Sequence, residues 1–304
     1  MLDMLPIPHY RHPPVPKDTE LYNQDVLTDV SVGELKKLRE VPKFTFIQKV
    51  LQVLLFAIFG IPKVFLMFVF LVISLPVWTI LTGLWRQFGK PEYGTLFLKK
   101  FAALLTRSAM FILGFHRISY HGQLDDDARF IVANHICFFD GWLFLPFLIR
   151  PLGKKEILKI PGFRELNEVF NGIPVDRTKS CGLTKELIRN ANDKTAPMIM
   201  ILPEGASTSG KYMLRFHLGA FLTDLPVQLC AIKYTIHGCP LRCGNIGFFH
   251  NHLSHLLAFL CIPSISVDVD FLESISLKTH GGGDPRKVAD EAALKIGNHL
   301  GVMV

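Results

Sequence analysis

A chain of 304 residues, 49% hydrophobic and 19% charged, with a mean hydropathy of +0.31, can bury a large core and is neither disordered nor fibrous. Its formal charge of +7 suits anionic partners: phospholipid headgroups, phosphorylated small molecules or nucleic acid. The six cysteines follow no regular spacing, and a chain of this length needs no disulfide staples, so reduced thiols in a cytosol-facing protein are expected.

Residues 1–43 read as a polar arm rich in proline (Pro6, Pro8, Pro13, Pro14, Pro16). It includes a short amphipathic helix over 32–40, with Ser31 and Glu34 as its capping pair. So long a polar lead argues against a cleaved signal peptide and for an anchor that is kept. Residues 44–115 form the greasy part of the chain. From Val64 to Trp85 there is no charged residue, and as a helix this run measures about 33 Å, enough to cross a hydrocarbon core. A second uncharged run, 50–62, precedes it, and Gly60, Pro62 and Lys63 stand where a helix can bend or end. Two readings stay open: one spanning helix, or a hairpin that dips into one leaflet and returns, with Pro76 as a further break.

From Gly114 onward short β-rich runs at 118–120, 128–133, 198–202, 227–234 and 265–271 alternate with helical stretches at 141–148, 162–169, 183–191 and 284–300. That alternation predicts an α/β domain over 116–280. Residues 281–304 read as a glycine hinge and a final helix packing on the domain, with Asp284 and Pro285 as cap and first turn.

The chemistry-bearing residues cluster at strand ends. The run 129–133 delivers Asn134 and His135 to the place where α/β proteins put their sites, and Asp140 follows five residues after the histidine. If the chain turns there, Asp140 accepts a hydrogen bond from one imidazole nitrogen and leaves the other basic, which prepares a general base for an alcohol. The spacing alone is weak: His121 and Asp126 share it, within a polar turn that reads as a solvated loop. Arg177 ends a short apolar run and has the geometry to clamp a phosphate, or to form an ordinary surface ion pair. After 199–202 a loop carries Glu204, Gly205, Ser207 and Lys211, offering backbone N–H groups and hydroxyls to an anionic oxygen, or simply connecting two elements. Cys239, Cys243, His250 and His252 are too irregularly spaced to favour zinc, so no metal is expected. Ser207 and Ser209 do not sit in a serine-hydrolase elbow. Lysines at 99, 100, 154 and 155 are too dispersed for a nucleic-acid stripe.

Taken in order, Asn134-His135 with Asp140, Gly172 with Asp176-Arg177, Leu202-Pro203-Glu204-Gly205, and Leu225-Pro226-Val227 resemble the four motifs of the glycerolipid acyltransferases. That family includes 1-acylglycerol-3-phosphate and lysophospholipid acyltransferases. The resemblance covers roughly residues 131–271. Phe138-Phe139-Asp140-Gly141, Gly219-Ala220-Phe221 and Pro226-Val227-Gln228 look most like the lysophosphatidylcholine acyltransferase branch. The resemblance implies a mixed β-sheet flanked by helices on an N-terminal hydrophobic helical membrane anchor. It also implies transfer of a fatty acyl group from acyl-CoA, as co-substrate and with no further cofactor, to the hydroxyl of a lysophospholipid (lysophosphatidylcholine, lysophosphatidylethanolamine or lysophosphatidate). His135 would be the base and Asp140 its orienter. Asn134, Arg177, Glu204, Gly205, Ser207 and Lys211 would serve the substrates. The expected partners are acyl-CoA, the lysolipid and the bilayer, not nucleic acid, and the expected place is the endoplasmic reticulum membrane with the domain facing the cytosol. The chain departs from the family pattern at Leu202, Ala206, His217 and Leu229, which keeps open a second reading: an inactive membrane or lipid-droplet scaffold on the same fold.

Overall fold

The computed structural model describes residues 45–88, 91–175, 183–193, 196–208, 210, 212–239, 252–302 and 304. The proline-rich arm and its helix at 32–40 lie outside the described residues.

The chain enters helix α1 (Phe46–Leu55) through a capping box. Thr45 Oγ1 accepts from the Gln48 N–H at 3.3 Å, and Gln48 Oε1 accepts from the Thr45 N–H at 2.9 Å. The helix does not end at Gly60 and Pro62. It widens into one π-helical turn (Phe56–Gly60) and continues as α2 (Ile61–Phe88) straight through Pro76. A proline lacks the N–H and crowds the carbonyl four residues back, and the wide turn just before Pro62 relieves that crowding. Gly60 is required there because a Cβ would come within 2.5 Å of the Phe56 ring.

Helix α3 (Pro91–Leu113) returns antiparallel along α2. Trp78 stacks on Phe101 midway along the pair, and Lys63 reaches the last turn of α3. Seven strands follow: β1 (Phe115–His121), β2 (Phe130–Ala133), β3 (Arg150–Lys154), β4 (Ile173–Val175), β5 (Ile199–Ile201), β6 (Val227–His237) and β7 (Ser264–Ile275). They form one sheet in the order β1-β7-β6-β2-β5-β3-β4. All neighbours are parallel except β6 and β7, so the sheet is mixed. Strand β2 lies at its centre, and all four of its residues are buried, as expected of a strand covered on both faces.

Its alternate side chains build the two halves of the core. Ile131 and Ala133 join Phe115, Phe144 and Phe259 on one face. Phe130 and Val132 join Leu229 and the Val288, Ala292 and Ile296 stripe of α7 (Pro285–Leu300) on the other. Asp284 caps α7, its side chain accepting from the Arg286 N–H at 2.9 Å. Between the strands lie α4 (Phe163–Val169), α5 (Leu183–Asn192) and α6 (His252–Cys261).

Five strands fall where the β-rich runs predict them. Strands β3 and β4 do not announce themselves, because Arg150, Pro151, Gly153 and Lys154 are poor strand formers and β4 is only three residues long. Pro174 is tolerated since β4 is an edge strand. The helix expected over 141–148 is a 3₁₀ helix, Asp140–Phe147, containing Pro146.

One buried cation ties the long helix to this domain. Lys63 is 7% exposed; its ammonium donates to the Leu113 carbonyl at 2.9 Å, to the Phe259 carbonyl at 3.3 Å and to that of Ile262. These carbonyls belong to the C-terminal ends of α3 and α6, where oxygens lack helical partners and the dipole favours positive charge. Gly114 makes room, for a Cβ there would sit 2.8 Å from Lys63 Nζ. Replacing Lys63 by Met keeps the stem and removes the ammonium, leaving the carbonyls unpaired. The expected loss is about 2–4 kcal/mol, read as a lower melting temperature in detergent; an unchanged melt would show that the ammonium is not needed there.

Candidate active site

Strand β2 ends at Ala133, and the next residue continues the ladder with its side chain. Asn134 Nδ2 donates to the Ile232 carbonyl at 2.9 Å, and its Oδ1 accepts from the Ile232 N–H at 2.7 Å. The buried amide imitates one more strand residue and locks the exit of β2 to β6. Asn134 is thereby occupied with backbone.

His135 follows at the edge of the sheet, its side chain 20% exposed, with Nδ1 at 2.8 Å from Oδ2 of Asp140, which is 0% exposed. The same Oδ2 accepts from the N–H groups of Ile136 at 2.7 Å and Cys137 at 2.9 Å, and Oδ1 accepts from the Tyr234 hydroxyl on β6. The pairing assigns the Nδ1 proton to the carboxylate side, so Nε2 carries the lone pair and can take a proton.

The backbone of His135 is held just as tightly. Its N–H donates to Glu204 Oε1 at 2.6 Å, and its carbonyl accepts from the Thr208 N–H at 2.9 Å. The loop after β5 therefore grips the histidine by both of its main-chain groups. Glu204 is 3% exposed, and its second oxygen accepts from the Leu214 N–H at 2.8 Å. Burial pushes its carboxyl up to about 8; the two N–H donors oppose this and the nearby Asp140 charge adds to it. Both Glu204 oxygens are engaged by main chain rather than turned outward. Gly205 adopts φ +69°, and a Cβ there would come within 2.9 Å of His217 Nε2, so the turn admits only glycine comfortably. Ser207 is half-buried on the same loop.

The structure thus brings Asn134, His135, Asp140, Glu204, Gly205 and Ser207 together. Asp176, Arg177, Ser209 and Lys211 lie outside the described residues, as do Cys243 and His250 of the zinc alternative. His121 and Asp126 do not form a pair; His121 instead faces Asp268 at 3.5 Å, exposed at the surface. Two residues of the cluster were not singled out by motif, Thr208 and Tyr234. Thr208 could have been suspected from its place in the Gly/Ser/Thr loop, whereas nothing along the chain marks Tyr234. Beside the histidine, Phe138 is 38% exposed and belongs to an aromatic group with Phe139, Trp142 and Phe163. Gly162, next to Phe163, lies against Leu75 and Trp78 of α2.

A central parallel strand thus presents a histidine–aspartate pair gripped by the loop of the next strand. Residues 117–233, from β1 into β6, match the family model described as Acyltransferase. Similar proteins include lysophospholipid acyltransferase LPCAT4 of Homo sapiens, 30% identical over 65% of this chain and 39% of that one. Lysophospholipid acyltransferase LPEAT1 of Arabidopsis thaliana is 29% identical over 43% of this chain and 34% of its own length. The chain thus spans between about a third and two fifths of these relatives. In fold it is similar to the crystal structure of the 1-acyl-sn-glycerophosphate acyltransferase PlsC from Thermotoga maritima, with a TM-score of 0.58 and 20% identity, covering 79% of this chain and 95% of that one.

Glutamine at position 204 tests the grip on His135. Its amide must turn a donor toward one of two N–H groups, so Glu204→Gln is expected to cost about 1–3 kcal/mol. The raised carboxyl also has a sign: its stabilising share is complete below the ordinary value of 4.5 and is lost as pH rises through about 8. Melting temperatures between pH 5 and 8 should therefore fall more steeply for the wild type than for the variant; parallel curves would refute this assignment.

Proposed function

We propose that this protein is a membrane-bound acyltransferase that moves a fatty acyl group from acyl-CoA to the free hydroxyl of a lysophospholipid, with His135 as general base. The observation that carries the reading is the His135–Asp140 pair, whose Nε2 is left as the basic nitrogen beside a partly exposed aromatic rim. Nε2 takes the hydroxyl proton as the oxygen attacks the thioester carbonyl. Collapse of the tetrahedral species breaks the carbon–sulfur bond, and the imidazolium returns its proton to the leaving thiolate, giving CoA and the diacyl lipid. The Asp140 carboxylate steadies the imidazolium between the two transfers. No acyl-enzyme and no metal or further cofactor enters the sequence. By their resemblance to the family motifs, Arg177 and Lys211 would receive the phosphate of the acceptor or of CoA, with Ser207 and the Gly205 turn beside them.

The long helix supports the membrane part. Its protein-facing stripe includes Lys63, Ser74, Trp78 and Thr82, whereas Phe65, Phe68, Val72, Ile73 and Ile80 point outward. Polar side chains inward and apolar ones outward suit hydrocarbon surroundings rather than water. The helix runs from Phe46 to Phe88, 43 residues, about 64 Å or twice a hydrocarbon core. It touches the domain at Gln52, whose carbonyl meets the Cys261 thiol, at Lys63, at Trp78 against the Gly162 carbonyl, and at Arg86, paired with Glu168. A helix fastened to one domain from residue 52 to 86 has no free length with which to cross. We therefore favour a helix lying in the plane of one leaflet over both the span and the re-entrant hairpin. The domain is proposed to face the cytosol, where acyl-CoA is dissolved, on the endoplasmic reticulum.

Release of free CoA thiol measured against lysophosphatidate, lysophosphatidylcholine, lysophosphatidylethanolamine and glycerol 3-phosphate should show turnover of at least one lysolipid. His135→Ala should lower it by roughly a thousandfold. A wild type inert with every acceptor would favour the scaffold reading instead. For the helix, single fluorophores at positions 65, 72 and 80 in vesicles should be quenched from similar depths by lipid-borne quenchers. A clear progression of depth along the three positions would show that the helix crosses.

A further inference from the structure

The buried carboxylate of Asp140 can accept about four hydrogen bonds, and three come from its own loop: the His135 imidazole and the N–H groups of Ile136 and Cys137. All three converge on Oδ2. The other oxygen takes its hydrogen bond from a residue 94 positions away, Tyr234. That residue arrives because β6 lies beside β2, with Ala133 opposite Cys230 and the Asn134 amide pairing with Ile232. The next side chain on the same face of β6 is that of Tyr234. Its ring meets Phe115 edge-on, with centroids 6.2 Å apart. Three side chains thus form one continuous run: Tyr234, Asp140, His135.

We propose that Tyr234 is a positioning residue of the acyl-transfer reaction: its hydroxyl, donated from β6 to Asp140 Oδ1, fixes the plane of the carboxylate and limits the negative charge that Oδ2 directs at His135. The inference rests on the proposed role of His135 as base. Three physical points support it. A carboxylate hydrogen-bonded only through Oδ2 can rotate about its Cβ–Cγ bond, whereas one held through both oxygens cannot, and the imidazole follows the carboxylate. Burial, with the Asp140 charge beside it, pushes the Tyr234 phenol well above its usual range, so it remains a donor wherever the enzyme works. Burial likewise pushes the Cys137 thiol up, so it remains neutral and brings no competing charge. Among the described residues, ionisable groups beside the pair include Glu204, against the His135 N–H, and His217, against the Gly205 turn.

Tyr234→Phe removes the hydroxyl and keeps the ring. Without that donor the charge on Oδ2 is less shared, the imidazolium is better stabilised, and the basic form of His135 appears only at higher pH. Two readouts test this. In steady-state assays kcat should fall roughly tenfold, with the KM for acyl-CoA and for the lysolipid unchanged within about twofold, and the acid limb of the pH profile should move up by about half a unit. Independently of turnover, exchange of the imidazole C2 hydrogen at His135, followed by mass spectrometry across pH, should show its midpoint rising by a similar amount. Tyr234→Ala, which also loses the ring, separates packing from hydrogen bonding through its lower melting temperature. A Tyr234→Phe protein with wild-type kcat, or with reduced kcat but an unmoved exchange midpoint, overturns the proposal and reduces Tyr234 to a packing residue. If the wild type transfers no acyl group, the proposed function fails on its own account, and the exchange midpoint still decides whether Tyr234 is coupled to His135.

Discussion

A carboxylate with no exposure to water has to be surrounded by donors, and Asp140 is the point on which the site depends. Leaving such a charge unpaired in the interior costs far more than any one hydrogen bond returns, so the backbone of the first motif is shaped to satisfy it. The loop 134–140 folds back until two N–H groups and the imidazole meet one oxygen, and the sheet supplies a hydroxyl for the other. The turn that places Asp140 at the start of a 3₁₀ helix follows from this need, and so does the orientation of His135. The geometry of the His135–Asp140 pair and the local folding are here one requirement.

A second loop enforces the same geometry from outside. Glu204 and Thr208 take the main-chain N–H and carbonyl of His135, so the histidine is not carried on a mobile strand end but clamped between β2 and the loop after β5. Glu204 in the third motif is therefore legible from structure as a support for the first motif. The family resemblance suggests contact with substrate for this residue, and its burial suggests a structural share in the motif's importance.

Much of this organisation could be read along the chain. The run 130–133 is apolar and includes β-branched Ile131 and Val132, its end is marked by Asn134 and His135, and Asp140 is close enough in sequence for its hydrogen bond to be anticipated. The α/β alternation and the closing helix were legible for the same reason, since each rests on local pattern, whereas the mixed sheet was implied by the family resemblance alone. What escaped notice depends on assembly. Tyr234 is one aromatic among many in a β-rich run until the strand order places β6 beside β2. Lys63 reads as an interruption of an apolar stretch until α3 and α6 bring their carbonyl ends to it. Strand β3, with Pro151 and Gly153, is a strand only because β5 and β4 present edges to it. Pro62 stands where a helix can bend or end, and a π-helical turn just before it lets the helix continue.

The outward-facing phenylalanines of the long helix have a consequence for the membrane as well as for the protein. A helix lying in one leaflet, as proposed, would add area to that leaflet alone and none to the opposite one, so bound protein would favour convex, loosely packed surfaces where bulky side chains enter most easily. Lysolipids, with one chain beneath a full headgroup, create the same kind of surface. Under the proposed function, conversion of a one-chain lipid into a two-chain lipid would relax that stress, and the product would tighten the packing around Phe65 and Phe68. Occupancy and activity would then be joined through the lateral pressure of a single monolayer.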